Sequence, residues 1–77
     1  MMQSMGKGAR RIARHYIGAW MTKKGMTQAR MAGELGVSSA YMSTVFNGKK
    51  TPSVRLCLEI SRILKIHMEE LFNKPPH

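Results

Sequence analysis

Seventy-seven residues make one domain at most, and a chain this short buries only about 60% of its unfolded surface, which leaves little room for a catalytic cleft. Thirteen Lys and Arg stand against four acids, a formal net charge of +9 that suits a polyanionic partner, either nucleic acid or an anionic membrane. A hydrophobic fraction of 43% with a single Cys excludes both a disordered basic tail and a disulfide-stapled mini-protein.

Residues 1–6 have no apolar run after a charged start, so they read as a disordered leader and not as a secretory signal. The longest apolar runs are a few residues, far short of the roughly 18–20 that a membrane-spanning helix needs. The expected organisation is a folded domain over 7–73 and a tail over 74–77, in a cytoplasmic protein.

Between Gly8 and Lys24, Ala13, Tyr16, Ile17 and Trp20 recur at helical spacing, with Ile12 and Met21 on the flanks of that face. Arg11, Arg14, His15 and Thr22 lie opposite, on a face that either meets phosphates or is solvated. Gly25 closes this first helix. Thr27 can cap a second helix of roughly nine residues, with Met31, Ala32 and Leu35 buried and Gly36 at its end. Ser38 can cap a third that runs to about Asn47, with Met42, Val45 and Phe46 inward, and Gly48 stops it. Lys49, Lys50 and Thr51 form a basic loop. Pro52 suits the first turn of a fourth helix over about 53 to 64, whose core face is Val54, Cys57, Ile60, Ser61 and Leu64. A last short helix over about 67 to 72 can turn Met68 and Leu71 inward, and Pro75 and Pro76 end the structured part. No segment alternates like a strand, so the fold class is all-α, a compact domain of five short helices.

The segment Thr27 to Asn47 carries the most information, because two short helices joined by a tight glycine-containing turn have the form of a helix-turn-helix. Counted from Gln28, a small residue stands fifth (Ala32) and glycine ninth (Gly36). Apolar residues stand fourth, eighth, tenth, fifteenth and eighteenth: Met31, Leu35, Val37, Met42 and Val45. Ala32 must be small where the two helices cross, and Gly36 must reach positive φ for the chain to turn sharply.

On these residues the sequence resembles the phage repressor and Cro-like (Xre-type) family of helix-turn-helix DNA-binding proteins over about residues 13 to 72. Gly25-Met26-Thr27-Gln28 resembles the start of the family's second helix. Phe46-Asn47-Gly48 and the stretch Ile63 to Phe72 are similar to lambda-repressor-like domains. The resemblance implies a five-helix domain whose third helix enters the major groove. The residues of that helix support the role independently. Ser39, Ala40, Ser43 and Thr44 share one side with Asn47, none acidic or bulky, as a groove about 12 Å wide requires. Their hydroxyls can meet base edges, while Ala40 and the Thr44 methyl can meet thymine methyls. An ordinary solvated helix face is the alternative. The face has no Arg to read guanine, so affinity leans on charge and DNA shape.

By the same resemblance Gln28, at the start of the second helix, bonds a phosphate and braces Ser39, although Ser39 is shorter than the family's usual Gln there. Ser38, Asn47, Lys49 and Lys50 fall where phosphate contacts are implied, and Arg10 and Arg14, with Lys7 and Arg11, fall where relatives carry an arm around the duplex. The double-stranded DNA would be a palindromic operator, and a nucleoid-associated location follows.

Other residues have plainer readings. Cys57 reads as a small buried hydrophobe, and His15, His67 and His77 show no metal-ligand spacing with it. No paired carboxylate or nucleophile motif appears, so neither an enzyme nor a cofactor is expected. Most of the eight Met are gap-fillers, Trp20 is core, and Tyr16 and Met21 are expected to be partly exposed. Leu56 and Ile63 form a second apolar line that Met68 and Phe72 extend. That line is either a two-fold dimer interface or core packing against the first helix. The expected function is a sequence-specific transcriptional regulator, a repressor acting as a homodimer. The alternative is a protein-interaction module, such as an antitoxin or antirepressor-like subunit, built on the same fold.

Overall fold

The computed structural model describes residues 14–76, and within them the chain forms four α-helices followed by a 3-10 turn: α1 (Ile17–Lys23), α2 (Gln28–Leu35), α3 (Ser39–Phe46), α4 (Val54–Leu64) and the turn Met68–Phe72. This is the all-helical fold expected, with the last helix wound more tightly than an α-helix. The expected helix residues before Arg14, Ile12 and Ala13 among them, lie outside the described residues, as do Lys7, Arg10 and Arg11.

Local chemistry sets most of the boundaries. The Thr27 hydroxyl accepts the Arg30 N–H at 3.1 Å, Ser38 Oγ accepts Tyr41 N–H at 3.0 Å, and Ser53 Oγ accepts Leu56 N–H at 3.2 Å. Each bond satisfies one of the amides that a helix start leaves without an intrahelical partner. Gly36 ends α2 at φ 71°, a left-handed conformation that a Cβ would strain, and so turns the chain from α2 into α3.

The start of α1 departs from the expected pattern. The helix begins at Ile17, because the backbone just before it is engaged elsewhere: Tyr16 N–H donates to the Leu71 carbonyl at 2.7 Å, and the His15 ring accepts Ile17 N–H at 3.3 Å. His15 therefore does not continue the helical phase onto the outer face. It is 8% exposed and packed inward. Met21, expected on the flank, is fully buried as well.

The core joins Ile17, Trp20 and Met21 of α1 to Met31 and Ala32 of α2, Met42 and Val45 of α3, Cys57, Ile60 and Leu64 of α4, and Leu71. Three of its largest members are methionines, flexible enough to fill irregular space among short helices. Trp20 is buried with its polar end satisfied: Nε1–H is shared between the carbonyls of Glu70, at 2.8 Å, and Asn73, at 2.9 Å. Among the described residues every buried side-chain nitrogen and oxygen has a hydrogen-bond partner.

Val54 corrects a second expectation. It is 73% exposed: Val54 is the first residue of α4, and Pro52, buried ahead of the Ser53 cap, closes that end of the core in its place. Cys57 sits against Pro52, its Sγ 3.6 Å from the proline carbonyl.

Close packing of α1 on α3 depends on Gly18. A Cβ built there would overlap the Phe46 carbonyl oxygen and lie 3.3 Å from the Phe46 carbonyl carbon. The absence of a side chain lets α1 rest directly on the last residue of α3.

Candidate nucleic-acid interface

The two caps and the Gly36 turn fix α2 against α3, and Met31, Ala32, Met42 and Val45 bury the faces between them. What α3 leaves outward is small and uncharged. Ser39 and Ala40 are exposed, Ser43 and Thr44 are half-buried at the margin, and Asn47 caps the far end in the open. Thr44 Oγ1 donates to the Ala40 carbonyl at 3.0 Å, which commits its proton to the helix and leaves its lone pairs and methyl group outward. Asn47 Nδ2 approaches Ser43 Oγ at 3.5 Å, at the outer limit of a hydrogen bond, so Ser43 keeps its own proton to donate.

Beyond Asn47 the chain turns through Gly48 and Lys49, whose amides donate to Val45 and Thr44 carbonyls, each at 3.0 Å. Lys49 and Lys50 are exposed beside the end of α3. Arg14, also exposed, reaches the same region from the other end of the sequence: Arg14, His15, Tyr16, Asn47 and Gly48 line one open, mostly polar cleft. The outer face of α3 and a set of positive side chains around its C-terminal end thus form one continuous surface. A helix with a small, acid-free leading face flanked by cations is the shape and charge that a major groove and its phosphates require.

The chain matches the family model described as Helix-turn-helix over residues 17–71. That span runs from the first residue of α1 to all but the last residue of the 3-10 turn. The chain belongs to the Xre/Cro-like helix-turn-helix family.

It is 36% identical over 56 residues to an uncharacterised HTH-type transcriptional regulator of Archaeoglobus fulgidus, a match covering 73% of this chain and 80% of the relative. Its fold is similar to the crystal structure of a Bacteroides fragilis protein described as DNA-binding, with a TM-score of 0.73 at 21% identity, over 75% of this chain and 94% of that one.

Within this helix-turn-helix protein, Ser39, Ala40, Ser43, Thr44, Asn47, Lys49, Lys50 and Arg14 fall on the surface around α3. Gln28 stands half-buried at the first position of α2, and Ser38 at the cap of α3. Arg10 lies outside the described residues. The residues assigned to a dimer interface divide. Ile63, Met68 and Phe72 pack partly against the core, while Leu56 is half-buried. The large apolar side chains left most open are Val54 and Leu58, the latter 41% exposed, on the opposite flank of α4 from Leu56 and Ile63.

Two residues beside the surface escape sequence reading. Extending the α1 period back past Ile17 puts His15 on the outer face, either meeting phosphates or solvated, but the helix begins after it. Tyr41 packs partly on the core, and its ring faces Lys50. No local pattern announces either, since both matter through partners distant in sequence.

Proposed function

We propose that this protein is a transcriptional repressor that binds a palindromic DNA operator as a homodimer and blocks polymerase there. The observation that carries the reading is the acid-free outer face of α3, held rigidly by a capped turn and bordered by Arg14, Asn47, Lys49 and Lys50. Ser39, Ala40, Ser43 and Thr44 read base edges. Gln28, Ser38, Asn47, Lys49, Lys50 and Arg14, with Arg10 ahead of them, hold phosphates. The names of the relatives, a transcriptional regulator and a protein described as DNA-binding, support the same reading.

A dimer supplies the two-fold symmetry that a palindrome matches, with half-sites about 34 Å apart, one helical turn. Leu56, Ile63, Met68 and Phe72, all half-buried along one flank of α4 and the 3-10 turn, supply its apolar contact, and Val54 and Leu58 form a separate, more open patch on the opposite flank. Such a protein works at the nucleoid, in the cytoplasm.

Selection of random duplexes at two salt concentrations tests the proposal. The expected result is an enriched inverted repeat whose affinity falls with salt at a log–log slope near about −5, for six phosphates neutralised by Arg14, Lys49 and Lys50 of the two protomers. Lys49→Ala weakens binding on every sequence, whereas Ser43→Ala or Thr44→Ala alters base preference at a cost of about 1–3 kcal/mol. Selection that enriches no repeat, with a flat salt response, overturns the reading and favours a protein-interaction module.

A further inference from the structure

His15 is one of two buried polar residues of the described chain, and its ring is fully used. Nδ1 accepts Ile17 N–H at 3.3 Å, which fixes the tautomer and makes Nε2–H the donor to the Lys50 carbonyl, 2.8 Å away and 35 residues on. Lys50 is held at its other end as well. Its Nζ lies 5.9 Å from the centroid of the Tyr41 ring, within reach of the attraction between an ammonium and an aromatic face. Tyr41 itself is anchored by the Ser38 cap and by packing on the core. Asn47, Gly48 and Lys49 are tied to α3 through their amides, and the His15 bond secures Lys50 beyond them.

We infer that His15 is a positioning residue for DNA binding: from behind the surface, without touching DNA, it holds the loop after α3 so that the Lys50 ammonium stands ready for a phosphate, with Tyr41 as the second support. The inference rests on the DNA-binding reading. Its physical basis is that a Lys side chain and a loop ordered before binding need not be ordered during it.

The experiment uses the full chain and its selected operator duplex, with fluorescence anisotropy titrations across a salt series and a thermal melt of each variant. His15→Ala, His15→Gln and Tyr41→Leu are measured alone and together with Lys50→Ala. Expected for His15→Ala is an affinity loss of about 25-fold for the dimer, the worth of one hydrogen bond in each protomer, and a salt slope shallower by about 1.8, one phosphate fewer in each half-site. His15→Gln, whose amide keeps a donor, recovers most of both. Lys50→Ala weakens the wild type but adds little on top of His15→Ala or Tyr41→Leu, because the cation is already misplaced.

A merely structural His15 would lower the melting temperature, leave the salt slope unchanged and leave the Lys50→Ala effect at full size; that result overturns the inference. If His15→Ala does not fold, the Tyr41→Leu and Lys50→Ala cycle decides, and additive effects there overturn it. A wild type that binds no duplex removes the DNA-binding reading and this inference with it, whereas operator binding with additive variants removes the inference alone.

Discussion

Gly18→Ala sets two opposed effects against each other at one position. In a helix interior the exchange of Gly for Ala ordinarily stabilises by up to about 1 kcal/mol, through backbone entropy. At Gly18 the new methyl meets the Phe46 carbonyl oxygen well inside van der Waals contact, with the carbonyl carbon at 3.3 Å and the Phe46 Cδ1 at 3.4 Å. The first two obstacles are backbone at the end of α3, so no rotamer change relieves them. Either α1 lifts from α3 or the last turn of α3 bends. Forcing a methyl into a close-packed contact costs about 1–3 kcal/mol, and a rigid partner puts the site in the upper part of that range. Net of the propensity gain, the variant should be about 1–2 kcal/mol less stable, and in a domain of this size each kcal/mol moves Tm by about 4–8 °C. Gly33→Ala is the matched control, for it too lies within a helix, and a Cβ there meets nothing within 4 Å. It should gain up to about 1 kcal/mol. Urea and thermal denaturation followed by circular dichroism measure both. The reasoning fails if Gly18→Ala melts at or above the wild type, or if the two variants shift Tm in the same direction.

Lys65 ends α4 at φ 61°, a left-handed conformation that costs a residue with a Cβ roughly 1 kcal/mol, so Lys65→Gly should raise stability by about 0.5–1 kcal/mol in a urea titration. Trp20→Phe keeps an aromatic ring in the core but leaves the Glu70 and Asn73 carbonyls without their shared donor, and calorimetry should show a loss of about 1–3 kcal/mol. Burial pushes the Cys57 thiol above its ordinary range, so the folded chain holds that proton more tightly than the unfolded chain. The stability involved is fully present below the unfolded thiol's pKa and is lost as pH rises from there towards the raised value of the folded chain. Cys57→Ala should flatten that alkaline fall in a pH series of urea titrations.

Much of the helix-turn-helix is legible because its signals are local. Thr27 and Ser38 announce caps within three residues of the amides they accept, and Gly36 supplies a turn that few residues can. The buried stripe Met31, Ala32, Met42 and Val45 follows from spacing alone. The outer face of α3 is legible for the same reason, as the complement of that stripe. Periodicity misleads where an element's first residue is set from afar. Tyr16 N–H bonds Leu71, so α1 begins at Ile17 and the phase that sets His15 on the outer face does not apply. Spacing from Cys57 places Val54 in the core, yet the chain enters α4 through Ser53 with Pro52 already filling the space. Gly18 is silent in the sequence, since a glycine within a helix looks the same whether a neighbour crowds it or not. The pairing of Lys50 with His15 and Tyr41 is likewise a tertiary fact with no sequence spacing behind it.

Tyr16 and Trp20 bond the carbonyls of Leu71, Glu70 and Asn73, so the first and last described elements clasp one another and the chain closes into a ring. Among the described residues, neither terminal element can fray without breaking that clasp. Loss of the clasp exposes the indole and frees both ends of the fold at once, which couples the 3-10 turn to α1 and makes unfolding of these short helices a single event. The same closure makes the domain a natural subject for circular permutation. The Tyr16–Leu71 bond sets the two ends of the described fold side by side, so a short linker can join 73 to 14 and new ends open in another loop, with the described part of the surface around α3 left intact.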